Sequence, residues 1–272
     1  MLNSQNYFDQ FGRRIPFEGM RVFNKVSRQY YKLKNPIIDY ANILTQSQSY
    51  GCVDKNIDTK LFKYKCDYLR EDIISSSEIG GIFNGIHVPF ICANNSSEID
   101  VGEEMEDTYL PAVGKSFKSY DKENHFKVIL QGGTHLPGNI NIDERSNYQN
   151  FINARKKSTL VGWYFPQALQ EFDIESQRAQ MSSLHKYNNL CLSGGFDIAA
   201  ALIGTPGLLI NSDGYPPILC LSAFQYSDKR LMLSFKSYGP HLEFWCMSQM
   251  LFPDVTQVSE QWSGGLTVFG EI

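Results

Sequence analysis

Hydrophobic positions along this chain fall into short blocks separated by Gly, Asn, Asp and Pro. In the first fifty residues, basic and aromatic side chains (Arg13, Arg14, Arg21, Lys25, Arg28, Tyr30, Tyr31, Lys32, Lys34) mix without a sustained 3.6-residue stripe. That pattern predicts short strands and turns about Pro16 and Pro36, with a helix over 35–44. From Ser75 onward the blocks are strand-like: 81–93, 126–132 and 158–165. Between the first two lies an acidic stretch, Glu98 to Asp107, which reads as a solvated loop. Helical spacing returns over 174–187, and the short apolar run 188–192 leads into Ser193-Gly194-Gly195 and a second helix, 196–203. After the turn Asn211 to Gly214, the runs 218–226 and 231–238 read as a hairpin closed by Ser227-Asp228-Lys229-Arg230. The stretches 255–260 and 266–272 are again strand-like.

Composition narrows the class. The chain has 272 residues, 42% hydrophobic and 20% charged, enough apolar material for a sizeable core. No composition break divides it, so one domain over 1–272 is expected, with 1–60 as an N-terminal extension packed on it. The net charge of −4 excludes a generic polyanion binder, and no nucleic acid is expected as partner. The longest apolar stretch, 196–210, contains Gly204, Pro206 and Gly207 and falls short of the roughly 20 residues a membrane span needs. The first residues lack the cationic start and apolar run of a secretory signal, so a cytoplasmic location is expected. Six cysteines are scattered singly and are expected to be buried as small apolar side chains; their spacing implies neither a zinc site nor a disulfide framework. The abundance of Asn, Lys, Ile, Ser and Tyr fits an AT-rich bacterial genome.

The richest stretch for chemistry is 85–120, with the words Glu98-Ile99-Asp100-Val101-Gly102-Glu103-Glu104-Met105 and then Tyr109-Leu110-Pro111. Upstream stands Tyr68-Leu69-Arg70-Glu71, and downstream the blocks 126–133 and 158–166 and the closing segment 253–272. In this order of features the chain resembles the acetoacetate decarboxylase-like superfamily over residues 60–272. The resemblance implies an α+β fold with a mainly antiparallel, curved, barrel-like sheet and a few helices. It further implies a small oxo acid bound in an interior cavity, a lysine that forms a Schiff base with it, no cofactor, and a homo-oligomeric assembly. Such a lysine must be neutral near pH 7, which an apolar pocket or a neighbouring cation achieves by lowering its pKa. The family's lysine pair after proline reads Ala112-Val113 here, so Lys115 is the nearest amine, and Glu103 stands in place of the family's arginine. By resemblance, Glu71 and Glu104 are the carboxylates beside Lys115 that orient substrate or move a proton.

A different class of chemistry is encoded by Cys191-Leu192-Ser193-Gly194-Gly195, which fits a nucleophile elbow between a strand and a helix. Asp228 and His241 follow in hydrolase order, and Gln131-Gly132-Gly133 supplies candidate oxyanion amides. The plainer reading of Ser193-Gly194-Gly195 is a turn in which Ser193 or Asp197 satisfies helix amides. His241 and Glu243 alternate on an extended stretch and, with His135, make a two-histidine, one-carboxylate set. His87 reads as a satisfied half-buried side chain; His125 and His185 read as exposed. The alternatives are therefore a Schiff-base lyase, a serine hydrolase, or a degenerate relative that only binds a ligand or partner.

Overall fold

The computed structural model describes residues 6–17, 22, 31–50, 53, 55–210, 214–248, 250–252, 255–256 and 260–272. The expectations for the turn at 211–213, the closing stretch at 257–259, Cys52 and the strands and turns within 18–21 and 23–30 lie outside them.

The architecture is α+β. The first two helices, α1 (Tyr40–Ser49) and α2 (Thr59–Ser75), are each started by an aspartate: Asp39 accepts from the Asn42 amide and Asp58 from the Leu61 amide. Phe62, Cys66, Leu69 and Ile73 form one apolar stripe on α2 that packs on the sheet. A single 3-10 turn then precedes strand β1 (Val88–Cys92).

Where the sequence pattern indicates a solvated acidic loop, the chain is helical. Asp100 caps α3 (Val101–Glu104) by accepting from the Glu103 amide, and Glu103 and Glu104 sit in the first turn, where the helix dipole favours negative charge. The helix continues through a π turn (Met105–Tyr109) into α4 (Leu110–Tyr120). Pro111 has no N–H to give the Asp107 carbonyl, and the ladder widens just before it. Met105, Tyr109, Leu110, Val113 and Phe117 are buried while Glu103 and Asp107 are exposed, so the acidic stretch runs along an amphipathic helix, with Glu104 alone among these helical carboxylates turned to the buried side.

The next elements are β2 (His125–Leu130), β3 (Ile140–Ile142), α5 (Tyr148–Arg155), β4 (Leu160–Gln170), α6 (Ile174–Gln180) and β5 (Leu190–Leu192). They are followed by α7 (Gly195–Gly204), β6 (Ile218–Cys220), β7 (Phe224–Tyr226), β8 (Leu231–Tyr238) and β9 (His241–Ser248). A small pair, β10 (Met250–Phe252) and β11 (Val255–Thr256), precedes β12 (Trp262–Glu271). The main sheet runs β1-β4-β12-β6-β8-β9-β2, with β5 also pairing with β12. Among the described strands of this sheet, β12–β6 and β2–β9 are parallel and the other pairs antiparallel. The end strands β1 and β2 do not pair with each other, so the sheet is open and not closed into a barrel.

The first half of β4, Leu160–Phe165, reads as an unbroken apolar run because the strand is covered on both faces. α2 packs against it, with the Trp163 Nε1 donating to the Cys66 carbonyl at 2.8 Å, and α7 contacts β4 and β1. All ten residues of α7 are buried, as expected of a helix that is apolar all round. Among the described residues no helix is long and apolar enough to cross a membrane.

The expected hairpin of 218–226 with 231–238 splits in two. β6 pairs with β8 in the register Leu219↔Phe235, but the chain turns away at Leu221–Ala223, and β7 pairs with β3 instead. The tight hairpin is β8–β9, closed by Gly239-Pro240 with Gly239 at φ +56°. The departure of β7 from β8 opens a cleft at the sheet margin.

Candidate functional site

The cleft lies between α6, the 3-10 turn after β3 and the start of β8, and has a volume of about 370 Å³. Its wall begins with the local sequence Asp173-Ile174-Glu175-Ser176-Gln177-Arg178. Asp173 caps α6 by accepting from the Ser176 amide at 2.7 Å, which fixes the helix so that Glu175 and Arg178 lie one turn apart and pair at 2.9 Å. Arg178, almost wholly buried, donates through Nε to the Ser222 carbonyl at 3.0 Å and through Nη2 to the Phe224 carbonyl at 3.0 Å. Those are the carbonyls that lose ladder partners where β7 leaves β8.

Opposite α6, Asp143 opens a 3-10 turn by accepting from the Arg145 amide and takes the Arg145 guanidinium at 3.0 and 2.8 Å. Arg145 also reaches Glu175 at 3.0 Å, and Arg178 lies 3.3 Å from Asp143. The four groups form a closed ring of alternating charge. Burial pushes the Asp143 carboxyl upward, but the Arg145 hydrogen bonds and the Arg178 charge outweigh it and hold the carboxyl below its usual range. The Arg145 guanidinium is held above its usual range, first by its hydrogen bond to Asp143.

The floor is apolar: Ile174, Leu221, Phe224, Leu231, Met232 and Leu233. At the mouth, the turn 227–230 supplies Lys229 and Arg230. Arg230 is occupied by Asp228, whose carboxyl its hydrogen bonds draw down to about 2. Lys229 is exposed and makes no ion pair among the described residues. On its other side the mouth opens into a hollow lined by Asn141, Gln225, Tyr226 and Lys229. The arrangement provides one unpaired ammonium above an apolar floor, within a wall whose own charges are already neutralised. Such a site suits an anionic head on an apolar body.

The residues singled out by sequence do not meet. Lys115 stands on the exposed face of α4 and Glu71 on the exposed face of α2. Glu104 is buried and accepts two hydrogen bonds from the Arg155 guanidinium, which also donates to the Ala93 carbonyl at 2.9 Å. Arg155 lies 4.4 Å from the Phe196 ring centre. Glu104 thus ties α3 to α5, and none of the three lines the cleft.

Ser193, Asp228 and His241 are equally apart. Ser193 is fully buried and shares a hydrogen bond with Thr267 Oγ1 at 2.8 Å; Thr267 also bonds Asp197. Asp197 further accepts from the Tyr148 hydroxyl at 2.8 Å and the Gly194 amide at 2.9 Å. The Ser193-Gly194-Gly195 turn therefore has its amide satisfied by Asp197. Burial, against these donors, raises the Asp197 carboxyl. Asp228 serves Arg230 at the cleft mouth, and His241 stacks between Tyr238 and His125.

His241 and Glu243 do share a face of β9, but Glu243 accepts from the Tyr238 hydroxyl at 2.9 Å and the Trp245 Nε1 at 2.7 Å. Among the described residues no group of three or more His, Cys, Asp and Glu side chains is placed to hold a metal ion. His87 is half-buried, with Nδ1 2.8 Å from the Gly85 carbonyl, and His125 and His185 are exposed. Cys66, Cys92, Cys191, Cys220 and Cys246 are free and buried.

The cleft residues carry a faint sequence signal: Glu175 and Arg178 at helical spacing, and two short acid-base words, 143–145 and 228–230. What no pattern shows is that the second half of the expected hairpin opens instead of closing. No family model, curated protein or solved structure matches this chain, so nothing identifies it with the acetoacetate decarboxylase-like superfamily and its site is read from its own chemistry.

Proposed function

We propose that the protein binds a small organic acid in the cleft between α6 and the start of β8, its carboxylate toward Lys229 and its apolar part on Phe224, Leu231 and Leu233. The observation that carries this reading is the unpaired Lys229 ammonium at the mouth of an apolar-floored cleft. In a chain of net charge −4, the cleft is lined by Arg145, Arg178 and Arg230, each paired with a carboxylate, and by Lys229, which makes no ion pair among the described residues. The paired Arg145 and Arg178 keep the walls fixed before ligand arrives, which lowers the ordering cost of binding. The Schiff-base and serine-hydrolase readings find no such support, because Lys115 and Glu71 are exposed on different helices, Glu104 is taken by Arg155, Ser193 by Thr267 and Asp228 by Arg230.

Calorimetric titration with a panel of small carboxylates, including pyruvate, 2-oxobutyrate, benzoate and hexanoate, tests the proposal. An acid with an apolar body is expected to bind with affinity that falls as salt rises. Lys229→Ala is expected to weaken it about tenfold, the order of one charge-assisted contact. Absence of binding across the panel, or binding indifferent to Lys229→Ala, overturns it.

A further inference from the structure

The cleft does not end at Lys229. It shares Asp143, Arg145, Gln225 and Lys229 with the neighbouring hollow, whose volume is about 510 Å³. Lys229 therefore stands on a ridge between two spaces. The ridge is anchored at both ends: the Ser227 amide donates to the Asn139 carbonyl at 2.8 Å, the Ser227 hydroxyl to Asn139 Oδ1 at 2.8 Å, and the Leu231 amide to the Asp228 carbonyl at 2.9 Å.

The two spaces differ in chemistry. Whereas the cleft floor is apolar, the hollow is walled by the paired strands β3 and β7, on which Asn141 lies directly opposite Gln225. Residues opposite one another on two strands project to the same face, about 5 Å apart at Cβ, so the two carboxamides stand side by side. Neither side chain has a hydrogen-bond partner among the described residues, and Gln225 is half-buried and lines both spaces. Each carboxamide offers an acceptor oxygen and a donor NH₂, the complement of an amide group. The hollow holds one further charge. Asp143 and Arg145 are paired, but Glu144, exposed on the turn between them, makes no ion pair among the described residues.

Between them the two spaces offer an apolar surface, a free ammonium, a pair of carboxamides and a free carboxylate. A simple acid would use the first two and leave the others unused. A short peptide with a free N-terminus carries the complement of all four on neighbouring atoms: an apolar side chain, a carboxylate, an amide and an ammonium. We infer that the ligand of this site is a dipeptide with an apolar C-terminal residue. Its side chain lies on Phe224, Leu231 and Leu233, its carboxylate meets Lys229, its peptide group meets Gln225 and Asn141, and its ammonium faces Glu144. The inference rests on the acid-binding reading of the cleft and narrows that reading to a ligand class.

Calorimetric titration of the whole chain with three ligands built on one leucine skeleton tests this. Isocaproate carries the apolar body and the carboxylate, N-acetyl-leucine adds the amide, and glycyl-leucine adds both the amide and the ammonium. Affinity is expected to rise about fivefold with the amide, the order of one hydrogen bond, and about threefold more with the ammonium, as for an exposed ion pair. Gln225→Leu is expected to remove the gain of N-acetyl-leucine over isocaproate, and Glu144→Gln the gain of glycyl-leucine over N-acetyl-leucine. Lys229→Ala is expected to weaken all three. Glycyl-leucine binding no tighter than isocaproate, or gains that persist in both variants, overturns the inference and leaves the acid site standing. Failure of all three ligands to bind the folded wild type removes the acid site as well.

Discussion

Replacing Arg178 offers the sharpest test of how the cleft is held open. Its guanidinium is the one group that joins α6 to the displaced carbonyls of Ser222 and Phe224 while also meeting Glu175 and Asp143. Arg178→Ala removes two charge-assisted hydrogen bonds to backbone and strips Asp143 of one of its two cations. Hydrogen bonds to charged groups contribute about 1.5–3 kcal/mol each, and breaking a buried ion pair costs about 3–5 kcal/mol, so the expected loss is about 4 kcal/mol. For a chain of this size that corresponds to a fall in Tm of about 8 °C. Arg178→Lys keeps the charge but cannot span both carbonyls, and is expected to recover less than half of the loss.

The pH dependence sharpens the same test. The Asp143 carboxyl is held below its unfolded value, so its stabilisation is present above about pH 4, near the ordinary carboxylate value, and is lost as pH falls through the lower folded value. In Arg178→Ala that acid-limb loss is expected to shrink. Denaturant titrations of wild type and both variants between pH 3 and 7 measure all three quantities. A lysine variant as stable as wild type, or an alanine variant within about 1 kcal/mol of it, a difference ordinary for single substitutions, would refute the claim that guanidinium geometry holds the cleft.

Three further outcomes are expected. Asp197→Ala leaves the Tyr148 hydroxyl and the Gly194 amide without their acceptor and is expected to cost at least about 3 kcal/mol in denaturant unfolding. Asp197→Asn keeps one acceptor oxygen and is expected to cost less. Because burial raises the Asp197 carboxyl, wild type should lose stability relative to Asp197→Asn as pH rises from about 4 through the folded value; a difference independent of pH contradicts this. Glu104→Ala strands the Arg155 guanidinium and is expected to destabilise by about 3–5 kcal/mol, whereas Glu104→Leu with Arg155→Met together should restore much of it, as a double-mutant cycle will show. In a Cys52→Ser background, the five buried thiols should resist a thiol reagent at pH 8 until the chain unfolds, followed by absorbance; reaction of any one in the folded protein contradicts the burial.

How far the sequence speaks depends on the range of the interaction. The runs that became β1, β4, β5 and α7 were legible because a covered strand or helix needs a continuous apolar block, as in Leu160–Phe165 and Phe196–Ile203. The acidic stretch Glu98 to Asp107 was not, because its six carboxylates mask the spacing of Met105, Tyr109, Leu110 and Val113. The charges of α2 likewise hid the stripe Phe62, Cys66, Leu69 and Ile73. At the cleft, only the Glu175–Arg178 pair is local. The other contacts join residues 143, 178, 222 and 229, whose meeting depends on where β7 parts from β8, a tertiary choice with no short-range signature.

The position of β12 bears on how the chain is made as well as how it stands. This strand is hydrogen-bonded to β4, β5 and β6 at once, and β4 is its longest partner, about a hundred residues earlier. A growing polypeptide that has delivered everything through β11 therefore holds a sheet in two pieces, β1–β4 on one side and β6–β8–β9–β2 on the other, with an empty slot between them. During synthesis the two pieces present facing unpaired edges, and folding must await the residues that close the gap. Ribosome-arrested chains ending before Trp262 should be cut by protease and bound by chaperones, and full compaction should appear in one late step once Glu271 has left the exit tunnel.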